Sequence, residues 1–355
     1  MRRFGLWMLI ALALSPGVAT AQFKKKEVDP AKAKEPAKSK EPTKSKESGK
    51  AKPGDSVEVG LNGPKFDKRQ VHRWLVGIKI RAVDGPVGEI SGTAPVPTDW
   101  PEQQVKIVNE DVSTHHWGLD YRTLDNGLKQ LVFNVPMVPT GETAKLMLTM
   151  EITRSSMIGP ADTTVFVIPK NPPKDVRRCL AASPYIETAS PKIKAFVKET
   201  TAGKEDAWGQ VEALYDGVRS KVKFEVNRIR DKGANAALKD GTADREDITS
   251  LFVACCRIHK VPARMVWVPD SCYAEFYLED NQGKGYWFPC QVAGDKAFGS
   301  QPDTRPILQK GDSIRVPEKK EPQRFVTESL SVKGAGGGKP QVEFVRKLEM
   351  GMAPQ

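Results

Sequence analysis

The chain has 355 residues, enough for two cored domains, and its hydrophobic content of 39% is that of a globular protein rather than a membrane-embedded or wholly disordered one. Its formal charge of +11 is unevenly placed: Arg2 and Arg3 bring +2, residues 22–54 set eleven Lys against five acidic side chains for +6, and the rest of the chain holds only +3. The folded part is therefore close to neutral, which excludes reading the basic balance as a nucleic-acid-binding face.

Arg2-Arg3, the apolar run Phe4 to Leu14, and the small-x-small tripeptide Ala19-Thr20-Ala21 read as a secretory signal peptide over residues 1–21. The apolar run is too short to span a bilayer, and no Cys follows the cleavage site to take a lipid anchor. Export to a periplasm or the exterior is the expectation. From Ala31 the units AKAKEP, AKSKEP, TKSKES and GKAKPG recur. With almost no apolar side chains they cannot offset the entropy of ordering, so residues 22–66 read as a disordered, extended Lys/Pro-rich linker. The functional alternative is a tether to anionic envelope polymers or headgroups, weakened by salt.

Residues 67–170 read as an antiparallel β-sandwich. Candidate strands are Val71–Ile80, Gln104–Val108, Lys129–Val135, Ala144–Ile152 and Thr163–Ile168, separated by Asp84-Gly85-Pro86, Asp125-Asn126-Gly127 and Thr140-Gly141. The Pro-rich stretch 169–173 reads as a boundary, with a second domain over 171–355. That domain opens with helices over Pro191–Thr200 and Asp206–Val222, the latter with Trp208, Val211, Leu214, Tyr215 and Val218 on one face. LQKGDSIRVPE and QRFVTESLSV read as further strands, and Gly334–Lys339 as a flexible loop.

Residues 241–291 read GTADREDITSLFVACCRIHKVPARMVWVPDSCYAEFYLEDNQGKGYWFPCQ. Val261-Pro262-Ala263-Arg264, Tyr273-x-Glu275 and Trp287-x-Pro289 give this stretch its character, and on them it resembles the core of the transglutaminase-like (papain-like) superfamily. The resemblance implies an α+β fold: the N-terminal antiparallel sandwich followed by a core of helices packed on an antiparallel sheet. It also implies a Cys at the start of a helix, a His on the next strand and an Asp on the one after. Arg245, Ser271 and Gln291 stand at those three positions. A guanidinium is a permanently charged donor and no nucleophile. A serine hydroxyl does not accept a proton near neutrality, and no His is placed to activate it. The triad is thus degenerate and no catalytic residue is assigned.

Asp244 caps the core helix, with Asp247 three residues on in a capping-box-like spacing. A cation at a helix N-terminus is unfavourable by about 0.3–1 kcal/mol when exposed, so Arg245 is expected to pair with Glu275 or Glu246 or to swing into solvent. His259 suits the helix C-terminus, while adjacent His115 and His116 would point to opposite faces of a strand and make a poor metal pair. No metal or cofactor is expected. If Ser271 and Gln291 face the old cleft, Cys272 and Cys290 point the other way and are candidates for a disulfide. Cys255 and Cys256 read as packing residues.

Three readings stay open. In the first, the chain is an exported pseudoenzyme whose cleft, around Arg245, Trp267, Ser271, Glu275 and Gln291, binds a peptide, an anionic envelope polymer or a partner protein without turnover. In the second, it is an active cysteine transferase or peptidase with a relocated nucleophile, Cys272 being the nearest. In the third, it is a structural cell-envelope protein.

Overall fold

The computed structural model describes residues 62–226, 231–333 and 338–349. The signal-peptide reading and nearly all of the Lys-rich linker lie outside the described residues.

Six strands come first: β1 (Lys65–Ala82), β2 (Val87–Val96), β3 (Gln103–Val112), β4 (Gly118–Thr123), β5 (Lys129–Val138) and β6 (Thr143–Ile158). They form two antiparallel sheets. Period-2 alternation sends Trp74, Val76, Ile78 and Ile80 of β1, Leu146, Leu148 and Met150 of β6, and Leu131, Phe133 and Val135 of β5 into one shared core. β2 and β4 escape a reading by composition. β2 is punctuated by Gly88, Gly92 and Pro95, and β4 is a short, mostly exposed edge with no apolar alternation to betray it.

After the two-residue strand β7 (Phe166–Val167) the chain turns helical: α1 (Lys174–Arg177), α2 (Pro191–Thr200) and α3 (Ala207–Lys221). The predicted helix over Pro191–Thr200 forms with those bounds, capped by Ser190, whose hydroxyl accepts from the Ile193 amide. Asp206 does the same for α3. Next come β8 (Lys223–Phe224), α4 (Ala234–Asp240), β9 (Thr242–Ala243) and α5 (Arg245–Ile258). The core sheet then follows, with β10 (Ala263–Val268), β11 (Ser271–Asp280), β12 (Gly285–Gln291), β13 (Ala297–Phe298) and β14 (Gln309–Lys310) in the order β13-β12-β11-β10-β14. The α5 helix is buried nearly all round, from Asp247 to Arg257, against α3, α4 and the face of this sheet. At its far end Arg257 donates to both Asp312 oxygens at 2.8 Å and to the Ala263 carbonyl, so helix, sheet and the loop after β14 are tied together. The fold is α+β, mostly antiparallel, as expected.

The last two strands do not extend the core. β15 (Ser329–Val332) pairs with β2, and β16 (Pro340–Glu349) pairs with β1 over ten residue pairs from Arg73↔Glu349 to Ala82↔Pro340. The stretch 171–355 thus returns its end to the sandwich. Of the expected C-terminal strands, LQKGDSIRVPE supplies only the short β14 and an isolated bridge between Ile314 and Gln323. Most of the expected loop over Gly334–Lys339 lies outside the described residues.

A buried ionic network joins sandwich to core sheet. Lys310 Nζ donates to Glu275 Oε1 at 2.6 Å and to Glu102 Oε1 at 2.7 Å, and the other Glu275 oxygen takes Arg264 at 2.7 Å. The Arg264 guanidinium stacks 3.9 Å from the Trp287 ring centre. Burial pushes the Glu275 carboxyl up, but Lys310 and Arg264 outweigh it and hold it well below the ordinary carboxylate value. Replacing Lys310 with Met should leave Glu102 without its ammonium partner and cost about 3–5 kcal/mol, lowering Tm by about 6–20 °C in a thermal melt. Because the folded pKa of Glu275 is depressed, its stabilisation is complete above its ordinary value of 4.5 and is lost as pH falls below that. The acid limb of the stability–pH curve should therefore flatten when Glu275 becomes Gln, and an unchanged limb would contradict this account.

Candidate functional site

The N-terminus of α5 is built from a cap and a clamp. Asp244 Oδ1 accepts from the Asp247 amide at 2.9 Å, as the sequence led us to expect. Asp247 does not return the favour as a capping box would. Its buried carboxylate instead accepts from the amides of Gly233 (3.0 Å) and Lys232 (3.2 Å), fixing the chain that enters α4.

Arg245 finds a partner the sequence did not predict. Its Nη1 donates to the Ala293 carbonyl at 2.6 Å, and its guanidinium lies 5.1 Å from the Phe224 ring centre. Gln291 donates to the same carbonyl at 2.7 Å. Arg219, on α3, donates to the carbonyls of Gln291, Val292 and Gly294 at 3.2, 2.9 and 2.8 Å. Four successive carbonyls, 291–294, thus face two guanidiniums. The cation at the helix start is compensated by carbonyl dipoles and an aromatic face, and of the two carboxylates expected to pair with it Glu275 does not. Arg219 carries no motif, and its place on the last turn of a helix gave the sequence no signal for this role.

Strand alternation explains why Glu275 is elsewhere. Ala263, Met265 and Trp267 of β10, Cys272, Ala274 and Phe276 of β11, and Phe288 and Cys290 of β12 all pack on the α5 side. Ser271 and Glu275 therefore belong to the opposite face of β11, and no hydrogen bond or ion pair joins either to Arg245 among the described residues. This reverses the expected arrangement: Cys272 and Cys290, not Ser271, look toward the helix. Of the five cleft candidates, Arg245 and Gln291 meet at Ala293. Trp267 lies on the helix side, its indole donating to the Gly311 carbonyl at 2.9 Å, and Ser271 and Glu275 are not brought to them.

The Cys272–Cys290 bridge is not formed, and all five cysteines are free thiols. The register pairs Cys290 with Ala274, so the two sulfurs do not stand opposite each other across the strands. Cys272 Sγ lies 3.7 Å from Thr249 Oγ1, one turn into α5, and burial pushes its pKa up to about 12. Cys256 and Cys290 are raised well above the ordinary thiol value, and Cys255 is raised too, all by burial. His259 caps the end of α5 and meets Gln210 Oε1 at 2.8 Å, far from Arg245 along the helix. Among the described residues no group of three or more His, Cys, Asp or Glu is arranged to hold a metal ion.

A segment that motif reading passed over packs on the first turns of α5. Arg324 enters the first turn of α5 and donates to Ser250 Oγ (2.6 Å), the Glu246 carbonyl (2.9 Å) and Asp231 Oδ1 (2.7 Å). Phe325 packs on Trp267 with ring centres 5.2 Å apart.

Residues 194–292, from within α2 to just past β12, match the family model described as the transglutaminase-like superfamily. Among solved structures, the chain is similar to a candidate cysteine protease from Cytophaga hutchinsonii at 14% identity and a TM-score of 0.53, covering 82% of this chain and 95% of that one. That likeness extends the shared fold beyond the core. A candidate protease from Parabacteroides distasonis aligns at 12% identity and a TM-score of 0.26, over 63% of this chain and 47% of that one. No curated protein matches.

Two outcomes follow from this geometry. In native protein at neutral pH, Cys255, Cys256, Cys272 and Cys290 should resist a thiol reagent such as iodoacetamide and react only after denaturation, as read by peptide mapping. Replacing Arg245 with Ala should cost about 1–2 kcal/mol in a urea titration, the scale of one charge-assisted hydrogen bond to a half-buried group.

Proposed function

We propose that this chain is an exported transglutaminase-like protein that has lost cysteine chemistry and works by binding a protein, peptide or anionic envelope polymer on a retained scaffold. The observation that carries the reading is the first residue of α5. Where the resemblance calls for a thiolate nucleophile, an arginine is hydrogen-bonded to Ala293 beside Gln291. Loss of the nucleophile of a hydrolytic triad costs on the order of 10⁶-fold in kcat, and loss of its base as well costs little more. Relocation to Cys272 is opposed by its burial. With a pKa of about 12, roughly one thiol in 10⁵ is ionised at pH 7. Export rests on the N-terminal charged and apolar pattern, and the Lys-rich arm is assigned to contact with anionic surfaces on its composition.

A purely structural envelope role is the second reading. It is favoured by β15 and β16 joining the two sandwich sheets, an arrangement that puts the last described strands into the framework rather than the cleft.

The test is covalent labelling of the native, signal-cleaved protein with a glutamine-mimicking chloromethyl ketone, read by intact mass. No adduct should form before denaturation, and rapid modification of a single cysteine would overturn the inactive reading. An Arg245→Cys variant in the same assay should gain a thiol that labels faster than any native cysteine, because a helix N-terminus favours the thiolate. A slow thiol there would mean that position 245 does not occupy a former nucleophile site.

A further inference from the structure

Arg324 is held unlike a surface cation. Its side chain is only 6% exposed, and three carboxylates gather on one amine: Asp231 at 2.7 Å, Glu246 at 3.6 Å and Asp247 at 4.0 Å. The other amine donates to Ser250 Oγ and the Glu246 carbonyl. The guanidinium lies 5.2 Å from the Tyr185 ring centre and 5.6 Å from that of Trp267, while its buried Nε has no hydrogen-bond partner. Carboxylates on one edge, aromatic rings about the plane and a hydroxyl between them make a guanidinium receptor, a combination that an ammonium matches less well.

The occupant arrives on a strap rather than on a regular element. Residues 321–326 are held by a bridge between Ile314 and Gln323 and by Gln309, whose side chain accepts from the Val326 amide at 2.9 Å and donates to the Val326 carbonyl at 2.6 Å. Between these two ties, Arg324 and Phe325 reach to α5 and to Trp267. Part of the receptor, Glu246, Asp247 and Ser250, comes from the first turns of α5, the helix that Arg245 begins.

We infer that the groove over the α5 N-terminus is a binding site for an extended peptide carrying an arginine followed by an aromatic residue, and that Arg324–Phe325 fills it in cis. The inference rests on reading this groove as the retired cleft and names its ligand class. The free protein is the closed form: a ligand in trans must displace the strap, and the aromatic step onto Trp267 sets the second residue of the motif.

The experiment uses the full signal-cleaved chain with Arg324→Ala, which vacates the receptor while leaving its carboxylates and rings. The probes are N-acetyl-argininamide, N-acetyl-lysinamide, and two capped tetrapeptides, one of the strap's own sequence 323–326 and one with its arginine replaced by alanine. Binding is read as a saturable rise in Tm and a change in tryptophan fluorescence. Argininamide should raise the Tm of the variant and lysinamide should not, and the arginine peptide should bind at least about tenfold tighter than the alanine peptide, a difference of about 1.4 kcal/mol. Wild-type protein should respond weakly or not at all, because its receptor is filled. Equal responses to arginine and lysine probes, or no saturable response from a variant with native circular dichroism, would overturn the inference. If Arg324→Ala does not fold, Arg324→Gln, which keeps much of the bulk but brings no cation to the carboxylates, serves, and the same split between the two peptides decides. A cysteine adduct in the labelling assay would sink the inactive reading and leave this result standing.

Discussion

Lys310 is the point on which the architecture depends. One ammonium, almost fully buried, bridges a carboxylate from the sandwich, Glu102, and one from the core sheet, Glu275. With Arg264 on the second Glu275 oxygen, two cations and two anions balance inside the interface. Desolvating four charges is expensive, and such a group is tolerated only when every member is paired in good geometry. Because its members come from the segment before β3, from β10, from β11 and from β14, the network fixes how sandwich and core sheet meet. Trp100 reinforces the point, its ring lying 5.1 Å from Lys310 Nζ and 5.9 Å from the Arg264 guanidinium. Glu275, in the Tyr273-x-Glu275 pattern that helps carry the resemblance, is occupied by this structural work.

The same strand accounts for both what was kept and what was lost. One face of β11 carries Cys272, Ala274 and Phe276 to α5, and the other carries Tyr273 and Glu275 to the sandwich side. Tyr273 accepts from buried Arg154 of β6 at 3.2 Å. Substitutions on either face are therefore constrained by packing, whereas the helix start is constrained mainly by its cap and its dipole. An arginine there costs about 0.3–1 kcal/mol against the dipole, which a charge-assisted hydrogen bond of about 1.5–3 kcal/mol can offset. The helix start thus tolerates a cation against its own dipole.

Much of the fold was legible, for identifiable reasons. Long strands with clean alternation, such as β1 and β6, and helices with Ser or Asp caps, such as α2 and α3, announce themselves because local pattern and tertiary burial agree. β2 was hidden by its glycines and proline. β15 falls inside the expected strand QRFVTESLSV, but its pairing with β2, and β16 altogether, were hidden because strand pairing across more than two hundred residues leaves no trace in a local window. In the site, the α5 cap was legible and the partner of Arg245 was not, since a backbone carbonyl has no side-chain signature. The face of Cys272 was misread because alternation was counted from an assumed orientation of Ser271. Period 2 gives relative faces, and only packing decides which one meets the helix.

Arg324 shows what a cluster of carboxylates beside aromatic rings requires physically. Without Arg324 the carboxylates of Asp231 and Asp247 would lose the guanidinium that sits beside the rings of Tyr185 and Trp267. Like charges gathered in a partly dry space repel one another and lose hydration, so the groove is stable only when a cation is present. Arg324 supplies that cation from within the chain, and Phe325 covers the exposed face of Trp267. Any external ligand must do both at once to replace them. The specificity of the groove is therefore set by what its emptiness would cost, and the sequence Arg-Phe in the strap is the solution the chain itself supplies.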